Sequence, residues 1–412
     1  MKKLLILGGG TAGTIMANKL NKALDKEEWD ITIVDREKTH YYQPGFLFIP
    51  FGIYNKQDVE KPKANFFPPG VNVIFSDIEQ IEADKNKVIL DGGRVLPYDY
   101  LVVATGTHSR PDETPGLAGP NWYKNIFDFY TLEGALALKQ HLKSWEGGKL
   151  VVAITEIPFK CPVAPLEFVF LAEAFFSEMG IRDKVDISLV TPLPGAFTKP
   201  LATKMLSQLL TEKNIKVVTD FYIEKVDNEK NTLVSYDEQE VSFDLLTIVP
   251  MNMGSEMISR SGLGDDLNYI PTDKHTLQSK AYQNMFVLGD AADLPTSKAG
   301  SVAHFSADIV YENLLSAIEG RPMTASFDGH ANCYIETGYG KGALIDFNYD
   351  TEPLPGTFPL PGIGPFDLLK NTSVNHYGKI MFRWMYWHIL LKGKELPVES
   401  EMTMAGKRKV VS

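Results

Sequence analysis

Cys161 and Cys333 are the only two thiols in 412 residues, and they stand far apart in the chain. As thiolates, such groups exchange with sulfur species and add to electrophilic rings. Isolated cysteines also serve as plain core filler, so their surroundings decide between the two roles. Cys161 opens the segment Cys161-Pro-Val-Ala-Pro-Leu-Glu167, and Cys333 opens Cys333-Tyr-Ile-Glu-Thr-Gly-Tyr-Gly-Lys-Gly342. A thiolate at neutral pH needs a thiol pKa brought down from ~8.5, and Lys160 or a helix N-terminus after Cys161 is placed to do that. Glu167 reads either as a proton acceptor beside the thiol or as an ordinary first-turn acid favoured by a helix dipole. His108, His141, His304, His330 and His376 show no metal-ligand spacing, and no metal site is expected.

These groups need a frame. Leu4–Leu7 is a short apolar run suited to a parallel strand buried on both faces. Gly8, Gly10 and Gly13 follow with G-x-G-x-x-G spacing, and Thr14–Ala23 continues with helical periodicity. The first glycine allows the tight turn, the second lets a pyrophosphate approach the backbone, and the third lets helix pack on strand. The free N–H groups of that helix start, at Thr11 and Ala12, then face the phosphates. A second strand over 30–34 ends in Asp35, about 20 residues further on, where an acid binds ribose hydroxyls, with Arg36 beside it. This first unit therefore binds a dinucleotide.

A second unit begins with the apolar strand 150–155. Where a nicotinamide-binding unit would show glycines, the chain carries Pro158, Pro162 and Pro165 around Cys161. Prolines supply neither the turn nor the close backbone approach that a pyrophosphate needs. A helix over 166–179 and strands over 186–191 and 216–219 continue the α/β pattern. The fold is retained while its nucleotide loop is lost, which disfavours a pyridine-nucleotide disulfide reductase.

Tyr98-Asp-Tyr-Leu-Val-Val-Ala104-Thr105-Gly106, and Asn284-Met-Phe-Val-Leu-Gly289-Asp290 before a helix at 301–318, resemble motifs of the two-dinucleotide-binding-domain flavoproteins. Together with Tyr41-Tyr-Gln-Pro-Gly45, the Lys160-Cys-Pro-Val-Ala-Pro165 loop and the late cysteine, they resemble the sulfide:quinone oxidoreductase family over essentially the whole chain. The resemblance implies FAD held by the glycine turn, Asp35, Ala104–Gly106, Gly289, Asp290 and Gly300. It places Lys298 near the flavin's pyrimidine end, Glu167 close to the flavin, and Cys161 and Cys333 as the redox pair that carries sulfide-derived sulfur. Residues 120–130 lack the third cysteine of many members, so FAD is expected to be non-covalent.

The expected fold class is α/β, with two Rossmann-like FAD/NAD(P)-type domains and a C-terminal amphipathic helical membrane-surface region. The divisions fall at 1–112 with 245–325, at 113–244, and at 326–412. Pro353–Pro365 reads as a linker that no helix interior tolerates. Phe366–Lys394 reads as an aromatic helix punctuated by Lys370, Lys379, Arg383, Lys392 and Lys394. With the basic end Lys407–Lys409 it suits an anionic bilayer surface, and quinone would enter there. Phe347, Phe366, Tyr377 and Phe382 are candidate quinone contacts.

A net charge of −11 argues against nucleic acid as partner. No run of ~18 apolar residues predicts a spanning helix. The apolar start of the chain is too short for a signal peptide and reads as a strand, which places the protein on the cytoplasmic side of a membrane. Hydrogen sulfide and quinone are the expected substrates and a homo-oligomer the expected assembly. The competing readings are a type II NADH:quinone oxidoreductase and a flavin-bearing persulfide sensor or carrier without turnover.

Overall fold

In a computed structural model of the chain, residues 1–396 and 398–409 are described. The opening strand Lys2–Leu7 sits at the centre of a five-stranded parallel sheet. It pairs with Trp29–Asp35 on one side and Tyr100–Val103 on the other, and Met285–Val287 and Asn72–Phe75 form the edges. Leu4 to Leu7 are all buried, because a strand flanked on both edges and covered on both faces can expose nothing. Helix α1 (Thr11–Ala23) packs on one face against helix α3 (Gly300–Ile318). On the other face Leu5, Leu7 and Val103 meet Ile81, Val88 and Leu90 of a small antiparallel sheet.

A second parallel sheet runs Ile126–Phe127, Leu245–Val249, Gly148–Ile154, Val185–Val190, Lys216–Val218. Helix α2 (Ala164–Glu178) packs against it. Strand Leu245–Val249 belongs here, paired in parallel with Leu150–Ile154, and not to the first unit as the division at 244 has it. Its four apolar residues around Thr247 announce a buried strand, but a run buried on both faces carries no signal for which sheet it joins. The two units are joined by the antiparallel pair Thr107–Arg110 and Met251–Gly254.

The last region departs most from expectation. Ala331–Gly338, Lys341–Phe347, Gly364–Leu368 and Gly356–Leu360 form a four-stranded sheet, in that order. The Pro/Gly stretch 353–365 is therefore mostly hairpin, and Phe366 lies in a strand. Helix α4 starts only at Ser373 and ends at His388. Its start is fixed by Thr372, whose hydroxyl accepts from Asn375 N, and by the Asn375 amide, which donates to Asp367 O and Lys370 O. The basic end also differs from expectation. The Lys407 side chain is buried, with its ammonium 2.6 Å from Asp346, so its charge is unavailable to a bilayer. No helix of the described residues is long and apolar enough to cross a membrane.

Candidate functional site

The carboxyl ends of the first sheet, α2 and α4 enclose a cavity of about 370 Å³. Gly8, Gly10, Thr11, Ala12, Asp35, Arg36, Ala104, Thr105, Gly106, Gly289, Asp290, Lys298 and Gly300 line it together with Cys161 and Glu167. Gly13 lies beneath the lining. The three motif glycines are required for different reasons. Gly8 has φ +93°, and a Cβ there would stand 2.4 Å from Ala104 O. A Cβ on Gly13 would stand 1.8 Å from Gly8 O. Gly10 has nothing within 4 Å of its missing Cβ, so the protein's own packing does not demand a glycine there. A group approaching the α1 N-terminus through the cavity does. The Thr105 hydroxyl is buried without a hydrogen-bond partner on the same wall. The open space at Gly10, the α1 N-terminus and the unpartnered Thr105 hydroxyl thus fit a bound FAD.

Asp35 is held firmly. One oxygen accepts from Gly9 N at 2.5 Å, and the other takes the Lys63 ammonium at 2.6 Å and Glu37 N at 2.7 Å. Arg36 sits at the rim, more than half exposed. Near the other end, the Lys298 ammonium donates to Asp290 O at 3.0 Å and Ala292 O at 3.2 Å, and lies 3.7 Å from the Tyr269 ring centre. Its backbone carbonyl accepts from Cys161 N at 2.9 Å, which ties the cysteine turn to the wall of the cavity.

Cys161 has φ +49°, a conformation that L-residues adopt only where surroundings impose it. Its carbonyl also accepts from Ala164 N at 2.9 Å and from the Tyr130 hydroxyl at 3.3 Å. This turn occupies the place after the central strand of the second sheet where a nucleotide loop would stand. Cys333 lies on strand Ala331–Gly338, opposite Ile345 and behind the cavity lining. Both cysteines are free thiols.

The electrostatics correct one expectation. Lys160 pairs with Asp290 at 3.4 Å, and its pull on the thiol is outweighed. Burial, reinforced by the nearby Glu167 carboxylate, pushes the Cys161 thiol up to about 11. Burial, and then the charge of Cys161, push Cys333 higher still. In flavin-stripped protein, alkylation of Cys161 by iodoacetamide is therefore expected to rise about tenfold per pH unit from pH 8 towards 11, since only the thiolate reacts. Peptide mass spectrometry reads this directly, and a rate already level at pH 8 would contradict it.

Glu167 is almost fully buried at the start of α2. Its Oε1 accepts from Glu336 N at 2.8 Å and from the Lys379 ammonium, which also donates to Tyr334 O at 3.0 Å. Glu336 in turn is hydrogen-bonded to His376 Nδ1 at 2.9 Å. Burial raises the Glu167 carboxyl, and Lys379 draws it back only in part. Burial alone would discharge Lys379, but Glu167 and Glu336 outweigh it and hold the ammonium charged. Nothing near Lys379 in the chain signals this role, because its partners lie more than 40 positions away. The available signal was the spacing of Lys379, Phe382 and Tyr386 on one helix face, all three of which line the cavity. Of the four aromatic quinone candidates only Phe382 lines it. Phe347 is buried elsewhere against Lys199, Phe366 packs on Tyr334, and Tyr377 is 69% exposed.

The model of the pyridine nucleotide-disulphide oxidoreductase family matches residues 2–153. A mitochondrial sulfide:quinone oxidoreductase of Dictyostelium discoideum is 29% identical over 400 residues, which cover 95% of this chain and 86% of that protein. A type II NADH:quinone oxidoreductase of Staphylococcus aureus is 26% identical over 84% of this chain and 90% of its own. Among solved structures, the sulfide:quinone oxidoreductase of Aquifex aeolicus superimposes with a TM-score of 0.81 at 20% identity, covering 96% of this chain and 92% of its own.

Proposed function

This chain is a homologue of the sulfide:quinone oxidoreductases along nearly its whole length, and from that premise we propose that it oxidises sulfide and reduces quinone with bound FAD. The observation that carries the reading is the Cys161 turn. The central strand of the second sheet runs into a strained cysteine on the cavity wall, where use of NADH would call for a glycine turn. FAD, when bound, supplies the two-electron carrier between the two substrates. With both cysteines assigned to sulfur chemistry, no thiol remains to tether it, and binding is non-covalent.

Cys161 and Cys333 do the sulfur chemistry. Hydrosulfide attacks their sulfur-bridged form, breaking one S–S bond and forming a persulfide on one cysteine and a thiolate on the other. Persulfide and thiolate rejoin as a trisulfide, releasing one proton and two electrons, and further rounds lengthen the chain until it leaves as polysulfide. Glu167 is the proton acceptor on the cavity side, with a carboxyl already raised by burial. Lys379 holds that carboxyl in place and offers a cation where charge builds up on reduced quinone.

Quinone enters along α4 from a membrane surface. Val374, Tyr377, Met381 and Trp384 form an exposed stripe on this helix, and Leu360 and Ile363 of the neighbouring hairpin are also exposed. Such a face lies in the headgroup region without crossing it. The cytoplasmic face of the membrane is the side we propose. Anaerobic absorbance spectroscopy tests the whole reading. Sulfide is expected to bleach the flavin, NADH to leave it oxidised, and a short-chain quinone to restore the oxidised spectrum. Bleaching by NADH alone would make the protein a dehydrogenase of the type II kind.

A further inference from the structure

The buried face of α4 reaches further than the quinone side. Lys379, Phe382 and Tyr386 stand on it at successive turns, and the last of them meets the glycine turn at the opposite wall. The Tyr386 hydroxyl lies 2.7 Å from Thr11 Oγ1 and 2.7 Å from His40 Nε2. Thr11 is the first residue of α1, and all three side chains border the cavity. Tyr386 and His40 are 3% and 1% exposed. The His40 ring is enclosed by Phe66, Tyr386 and Trp387, with centroids 5.6, 5.8 and 5.6 Å away. Its Nδ1 has no hydrogen-bond partner.

We propose that Tyr386 is a cofactor-retaining residue, which together with His40 turns the Thr11 hydroxyl towards the pyrophosphate of FAD. The C-terminal helix is then the third wall of the dinucleotide site. The inference rests on the FAD reading above. A phosphate oxygen only accepts, so Thr11 must donate to it, and Thr11 Oγ1 is then free to accept from Tyr386. The Tyr386 oxygen in turn accepts from His40 Nε2–H. Burial, and then Lys63, push the His40 pKa down to about 3, so the ring is neutral and has a single proton to place. On Nε2 that proton completes the string to Tyr386 and leaves Nδ1 as an acceptor. Without Tyr386 the Thr11 hydroxyl loses its orienting donor.

The test is the rate at which the holoprotein loses flavin on dilution, read by the rise in flavin fluorescence. Tyr386→Phe is expected to release FAD about tenfold faster than the parent, as for loss of one orienting hydrogen bond. Thr11→Val is expected to match it, and the double variant to be no worse than the worse single one, because the two hydroxyls act as one unit. His40→Gln, which restores a donor near Nε2, should hold FAD within about threefold of the parent, while His40→Leu should behave like Tyr386→Phe. Release of FAD from Tyr386→Phe at the parent rate would overturn the proposal, as would losses that multiply in the double variant. Should Tyr386→Phe fail to fold, the His40 pair decides, and equal release from His40→Gln and His40→Leu refutes it. A parent protein that carries no flavin would instead count against the FAD reading itself.

Discussion

Cys161→Ser and Cys333→Ser are each expected to lower sulfide-dependent quinone reduction by on the order of 10³-fold or more, because each removes a sulfur that must form and break a bond in every turnover. The flavin itself should stay in place, since the glycine turn, Asp35 and Asp290 are untouched by either change. Quinone should therefore reoxidise dithionite-reduced variants at close to the parent rate. That contrast separates lost sulfur chemistry from a damaged fold. The two variants are also expected to be equivalent in turnover despite their unequal positions, with Cys161 on the cavity wall and Cys333 behind it. Anaerobic stopped-flow absorbance reads both half-reactions, and full sulfide turnover in both serine variants would remove the cysteines from the mechanism.

What was legible in the chain follows from how local each signal is. The glycine turn, Asp35, Ala104–Gly106 and Asp290 are strand-end features whose roles depend on a few neighbours, and all come together at one cavity. The replacement of a nucleotide loop by the proline-flanked Cys161 was likewise readable, because an absence of glycine is a statement about one turn. Three features were not readable. The sheet joined by Leu245–Val249 depends on a partner almost a hundred residues away. The extent of α4 was overestimated, since an aromatic run is compatible with strand and helix alike, and the capping contacts of Thr372 and Asn375 decide. The thiol pKa values ran opposite to expectation because nearness in sequence to Lys160 counts for less than burial and the charge of Glu167.

Lys379 shows the same limit with larger consequences. Read along the chain it is one basic residue among several on a membrane-facing helix. In the fold its ammonium meets the Glu167 carboxylate, with side-chain exposures of 12% and 1%. Lys379→Met should therefore leave Glu167 buried with only the Glu336 N–H as partner, and Glu336 as a second carboxyl close by. Removing one partner of a buried ion pair is destabilising by about 3–5 kcal/mol, far more than the pair itself contributes. The pH dependence has a definite sign. Burial already raises the Glu167 pKa above its ordinary value, and loss of Lys379 raises it further. An acid with a raised folded pKa favours folding at low pH, where it is protonated in both states, and disfavours it as pH climbs through the folded value. The deficit of Lys379→Met against the parent should accordingly be largest at pH 8 and shrink towards pH 5. Adding Glu167→Gln should recover most of it at pH 8, because a neutral amide does not require a counter-charge. Denaturant midpoints of the three proteins at both pH values measure this. A deficit under 0.5 kcal/mol at pH 8, the size expected of an exposed lysine, would mean that Glu167 and Lys379 are not the buried pair on which the proton chemistry of the cavity depends.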